Sequence, residues 1–170
     1  HKRLRLYIEF PSAVPGHKIV EPRPLQWERG VVTSHAFAPA LERLRLLMIH
    51  GCVFVPLDLD IDSGNCHIAV AKVAGFDKAV YGLPPRVWPI LYEQQEPRML
   101  VSTTKLSQFV TARYAPAEAW RAVWVWVLGW LGVSTASIAW HRTVRPSYGK
   151  DDVLPPDAEY SSFGDGVGWF

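Results

Sequence analysis

Asp58, Asp60 and Asp62 at alternate positions, and the set His50, Cys52, Cys66 and His67, are residue types that can hold a metal ion. Spacing argues against both. A calcium loop starting at Asp58 needs glycine at its sixth position and a bidentate glutamate at its twelfth, where this chain has Ser63 and Ala69. The aspartates fit the solvent face of a strand, with Asp60 opposite His67 as a cross-strand polar pair. The histidines and cysteines have zinc-ligand chemistry. If Asp62 pairs with Asn65, however, Cys52 pairs near Gly75, which is about 30 Å along the strand from Cys66. Both cysteines then read as buried free thiols. His141 could ligate a haem or chlorophyll, but at the end of an apolar run it fits a headgroup or carbonyl partner. Gly164, Gly166 and Gly168 lack the following helix that a nucleotide loop requires. Glu93 and Glu96 flank a proline-rich loop. The chain has no phosphate loop with lysine, no nucleophile elbow, no zinc-protease histidine pair and no Cys-x-x-Cys. No catalytic residue, metal or cofactor is expected, and the chain reads as non-enzymatic.

The elements that would position such residues form an α+β pattern. Val53, Val55, Leu57, Leu59 and Ile61 alternate with polar or bulky residues, and Ser63-Gly64 offers a tight turn before Cys66–Val73. This predicts a β-hairpin over about 53–73, with Leu59 facing Ile68 and Leu57 facing Val70. Leu41, Leu44 and Met48 share a face and Gly51 follows, predicting a helix over about 39–50. A short strand is expected around Leu4–Phe10, within an N-terminal stretch whose prolines imply extended backbone. Residues 82–99, with Pro84, Pro85, Pro89 and Pro97, read as a wrapping loop. Ser102–Thr104 could cap a short helix, Lys105–Tyr114.

From Ala122 to Trp140 the chain carries no charged residue. At about 1.5 Å per residue this run covers roughly 28 Å, near the ~30 Å hydrocarbon thickness of a bilayer. The reading is a single transmembrane helix over about 116–144, started by Pro116 and stopped by Pro146. Ala122, Val125, Gly129, Gly132, Ala136 and Ala139 form a small-residue stripe on one face, the kind of face on which membrane helices pack. Trp120, Arg121, Trp124, Trp140, His141, Arg142 and Arg145 are placed as interface anchors. Basic residues balance on the two sides, leaving orientation open. The chain thus divides into a small peripheral region (1–115), the span (116–144) and an extended proline-rich C-terminal tail (145–170). A buried Trp-rich helix in a soluble binding domain or enzyme is the alternative.

The 170 residues include 18 basic and 16 acidic side chains, a net charge of +2. That excludes the broad positive footprint of a nucleic-acid binder. The basic start, His1–Arg5, reads as a solvated or headgroup-contacting end. A first residue His1 fits removal of a presequence and a truncated chain equally. Two cysteines make no disulfide framework, and Asn65 lies in no glycosylation sequon.

In layout, the span with its packing stripe, modest folded part and long proline-rich ends resembles the single-span supernumerary subunits of mitochondrial respiratory-chain complexes. The resemblance implies a non-catalytic accessory subunit, integral to the mitochondrial inner membrane. It would stabilise or help assemble an electron-transport complex by helix packing and wrapping tails. Its partners would be other membrane subunits and the lipid bilayer, without nucleic acid and without a cofactor. A subunit of a photosynthetic or other pigment-bearing complex would share the layout.

Overall fold

The computed structural model describes residues 4–47, 49, 52–59, 61, 64–108 and 117–138. The segment Cys-His-Ile-Ala-Val-Ala sets the centre of the fold as strand β6 (Cys66–Ala71), buried on both faces. A strand apolar on both sides needs neighbours at both edges and cover on both faces. The neighbours are β3 (Arg29–Val32) and β7 (Val87–Gln94), each antiparallel to it. Beyond them lie β4 (Leu46–Leu47) on one side, and β8 (Met99–Ser102) followed by β1 (Leu6–Glu9) on the other. The order is β1-β8-β7-β6-β3-β4, a half-barrel sheet in which only β1 and β8 run parallel. A separate ribbon pairs β2 (Arg23–Pro24) with β5 (Val53–Phe54).

One sheet face is covered by helix α1 (Ala117–Leu131). Trp120, Val123, Val127 and Trp130 recur every three or four residues and, with Ala119, are buried in one cluster with Ile68, Val70, Leu91 and Leu100. The other face packs Cys66, Ala69, Tyr92 and Val101 against Val14, Val55 and Leu57 from the connecting segments.

This arrangement overturns the single transmembrane helix over 116–144. Among the described residues no helix is long and apolar enough to cross a membrane. Within the run without charges, Val123, Val127 and Trp130 supply the side of α1 that lies on the sheet. The helix then stops: Gly132 takes φ +84°, its N–H bonds to the Gly129 carbonyl at 2.9 Å, and the Val133 N–H bonds to the Leu128 carbonyl at 2.8 Å. That pair of bonds is a Schellman C-cap. Gly132, read above as part of a packing stripe, therefore ends the helix. A Cβ at Gly132 would meet nothing within 4 Å, so Gly132→Ala carries only the backbone penalty. Thermal denaturation is expected to show a loss of about 1 kcal/mol, with Gly132→Asn closer to wild type. With the span gone, so are the integral membrane placement and the layout on which the respiratory resemblance rested. The expectations of a single-pass protein, of the mitochondrial inner membrane and of the respiratory chain are corrected with it. The fold class changes as well, to a mostly-sheet domain with one short α-helix among the described residues.

Three local expectations are also corrected. The helix over 39–50 is replaced by turns and β4, because Leu46 and Leu47 are both buried and pair with Val31 and Gly30. Leu44 lies at φ +71°, and its N–H bonds to the Val32 carbonyl. The hairpin over 53–73 does not form. Ile68 pairs with Val32 and Leu91 rather than Leu59, while the Val55 N–H bonds to the Thr103 carbonyl. The wrapping loop at 82–99 contains β7, the longest strand described. Pro89 is accommodated beside a register shift between Ile68 and Ala69, and its carbonyl accepts the Thr103 hydroxyl at 2.8 Å. The strand near Leu4–Phe10 is present as β1. After β8 a 3-10 turn spans Leu106–Gln108; residues 109–116 lie outside the described residues, as does the predicted tail.

Candidate functional site

Two places bring together side chains with chemistry. The first is the end of the sheet where β3 begins, β6 ends and β7 begins. Arg29 pairs with Ala71, and Ala71 pairs with Val87. Arg29, with Lys72 and Arg86 one residue beyond the ends of β6 and β7, therefore stands at one rim of three adjacent strands, spaced by about 4.8 Å per strand. Among the described residues none of these three makes an ion pair with a carboxylate. Arg86 sits with its guanidinium carbon 5.8 Å from the Trp88 ring centre, and Arg23 covers the same ring at 4.0 Å.

The turn before β3 is organised by Glu28. Burial alone would push its carboxyl up. The N–H groups of Gln26, Glu28 and Trp27, together with Arg23, more than offset that and hold it below the usual range. Its Oε2 accepts the Gln26 N–H at 2.9 Å and the Trp27 N–H at 3.2 Å, while Oε1 accepts Arg23 at 2.8 Å. This fixed turn leaves the Trp27 side chain 74% exposed.

Between Lys72 and Arg86 the chain leaves the rim, runs along the outer edge of β4 and returns. The Arg29 guanidinium donates to the Gly75 carbonyl. Gly75 takes φ +136°, and a Cβ there would lie 1.9 Å from the Lys78 carbonyl oxygen. Only glycine lets the loop fold back so tightly. The Leu46 N–H bonds to the Asp77 carbonyl, the Ala79 N–H bonds to the Leu44 carbonyl, and Ala79 is buried with Val31 and Leu46. Arg45–Asp77 at 3.6 Å and Lys78–Glu42 at 3.8 Å flank the contact. The loop is thus pinned, yet Phe76, Val80 and Tyr81 point away from the core, 72%, 64% and 89% exposed.

The second place surrounds His67. Its Nδ1 lies 3.0 Å from the Ser34 hydroxyl, which also accepts the Ala36 N–H at 3.2 Å. The Ser34 hydroxyl thus bridges the imidazole and the backbone that follows β3. The ring lies 4.5 Å from that of Trp126 and 6.3 Å from that of Phe37, and Nε2 is buried without a hydrogen-bond partner among the described residues. Burial holds the imidazole at about 4, the Glu93 charge pulling weakly the other way. An imidazole this hard to protonate is a poor general base at neutral pH. We read it as a staple between α1 and the segment after β3. Asp60, its expected cross-strand partner, lies outside the described residues.

Comparison with protein-family models, with curated proteins and with solved structures finds no match for this chain.

Of the residues singled out from the sequence, Trp120 is fully buried beneath α1, and Trp124 is half-buried with its ring edge-on to Tyr7 at 5.7 Å. Arg121 is exposed, 3.7 Å from Glu118. Ala122 is half-buried, whereas Val125 and Gly129 lie on the outward side of α1, and Gly132 and Ala136 are exposed beyond its last turn. Ala139, Trp140, His141, Arg142 and Arg145 lie outside the described residues, as do His50, Asp62 and Ser63. Cys52 and Cys66 are free thiols that burial pushes up to about 12. Among the described residues no cluster of His, Cys, Asp and Glu could hold a metal ion. Sequence reasoning passed over Trp27, Lys72, Phe76, Val80, Tyr81 and Arg86. Their signal is slight: single aromatics beside glycine and charge, in segments with no period.

Proposed function

We propose that this chain is a non-catalytic accessory module that docks onto a polyanionic surface through the rim of Arg29, Lys72 and Arg86. The observation that carries this reading is the row of three cations at adjacent strand ends, without carboxylate partners among the described residues, beside an ordered loop of exposed apolar side chains. Elsewhere among the described residues Arg23, Arg45, Lys78, Arg98 and Arg121 are engaged in ion pairs, and a pinned loop could have buried its aromatics. The module acts by holding, since its buried histidine is stapled and its thiols are protonated.

The test is binding of a soluble heparin oligosaccharide, a generic polyanion, as a function of salt. Lys72→Ala with Arg86→Ala should weaken binding and flatten the plot of log affinity against log salt by about two. Arg29 is left intact because it ties the loop. Unchanged affinity and slope in the double variant would dismiss the rim as the docking site.

A further inference from the structure

We infer that the polyanionic surface is an anionic lipid bilayer, met from one side by Phe76, Val80 and Tyr81 while the cation row contacts headgroup phosphates; this rests on the docking reading above. The most exposed large hydrophobic residues described are Tyr81, Leu4, Trp27, Phe76 and Val80, and the next, Val133, is far less so at 47%. Three of the five are carried on the single loop that leaves the rim at Lys72 and returns at Arg86. Trp27 precedes Arg29 by two residues, and Phe76 follows the Gly75 carbonyl that Arg29 holds. Apolar tips and phosphate-binding cations therefore share one corner of the sheet.

A nucleic acid would be served differently. Base stacking needs rings supported as flat platforms beside a groove, whereas Phe76 and Tyr81 stand away from the core with no ring contact among the described residues. Val80 offers no π face at all. An interface of lipid headgroups and acyl chains takes aliphatic and aromatic tips alike, and indole rings such as that of Trp27 settle at headgroup level. The contact is peripheral, made by loop tips, and requires no spanning helix. The loop also has a reason to be rigid. Pinning by Ala79, Asp77 and the Arg29–Gly75 bond presents the three side chains together, so little ordering is lost on contact.

Co-sedimentation with vesicles of phosphatidylserine in phosphatidylcholine, against phosphatidylcholine alone, tests the inference. The wild-type chain should bind the anionic vesicles, more weakly as salt rises, and Phe76→Ser with Tyr81→Ser should lower the partition coefficient about ten-fold or more. Both positions are exposed, and an unchanged melting temperature verifies that the variant is folded. Equal binding by the double variant would overturn the inference, as would binding to a single-stranded oligonucleotide without binding to vesicles. If vesicles fail while heparin binding keeps its dependence on Lys72 and Arg86, the bilayer is excluded and the docking reading stands. If both fail, the docking reading falls as well.

Discussion

Replacing Trp120 by alanine should cost about 3–5 kcal/mol, enough to unfold much of a marginally stable domain at room temperature. The indole is fully buried and lies in the cluster shared by α1 and β6, β7 and β8. Removing it leaves a cavity between helix and sheet that rigid strands cannot close. Denaturant titration should show the transition shifted to much lower concentration. Val125→Ala, on the outward side of the same helix, should stay within about 0.5 kcal/mol of wild type. The contrast is diagnostic. A helix whose contacts lay on the Val125–Gly129 side would reverse the order of the two variants.

Acid should weaken the fold well above the pH at which its carboxylates titrate. His67 is held at about 4 by burial, against an ordinary value of 6.5 in the unfolded chain. Between those values the unfolded state binds a proton that the native state refuses, so stability falls as pH drops from about 6.5 towards 4. The full difference is roughly 3 kcal/mol. Glu28 acts in the same direction at lower pH: its depressed carboxyl contributes stability above its unfolded value, and that is lost as pH falls through its folded one. Denaturant midpoints measured across this range separate the two. His67→Phe should flatten the curve between pH 6.5 and 4.5 and leave the steeper fall below it. Retention of the wild-type slope in that variant would mean that another group carries it.

The parts of this fold that could be read from the sequence are those whose partners do not matter. β1 shows itself in Leu6–Glu9, and the apolar alternation at Val55 and Leu57 does mark buried positions. What sequence withholds is which strand a buried segment adopts. Cys66–Ala71 pairs with β3 and β7 because both of its faces are buried, and nothing local distinguishes that from a hairpin with the preceding residues. β7 was hidden by Pro84, Pro85 and Pro89, since a bulge that tolerates proline is a property of two strands together. The helix 39–50 failed because leucines at 41, 44, 46 and 47 satisfy both periods, and pairing with β3 decides between them. In α1 the same run of apolar residues is consistent with lipid on all sides or with a sheet on one. Only the burial of Trp120, Val123, Val127 and Trp130 against that sheet separates the cases. The candidate site was less legible still. Exposure of Phe76 or Tyr81 has no signature in composition, and the alignment of Arg29, Lys72 and Arg86 exists only once three strands are in register.

The parallel pairing of β1 with β8 sets the order in which this chain can be completed. Leu6 lies beside Met99 and Glu9 beside Ser102, so β1 has no partner in this sheet until β8 has been made. The antiparallel neighbours β6, β7 and β8 join through much shorter connections and can assemble without it. Closing so long a loop is entropically slow, and topologies dominated by distant pairings fold in milliseconds to seconds. Late docking of β1 is the expected result, and a ribosome-bound chain lacking β8 would leave β1 without its sheet partner.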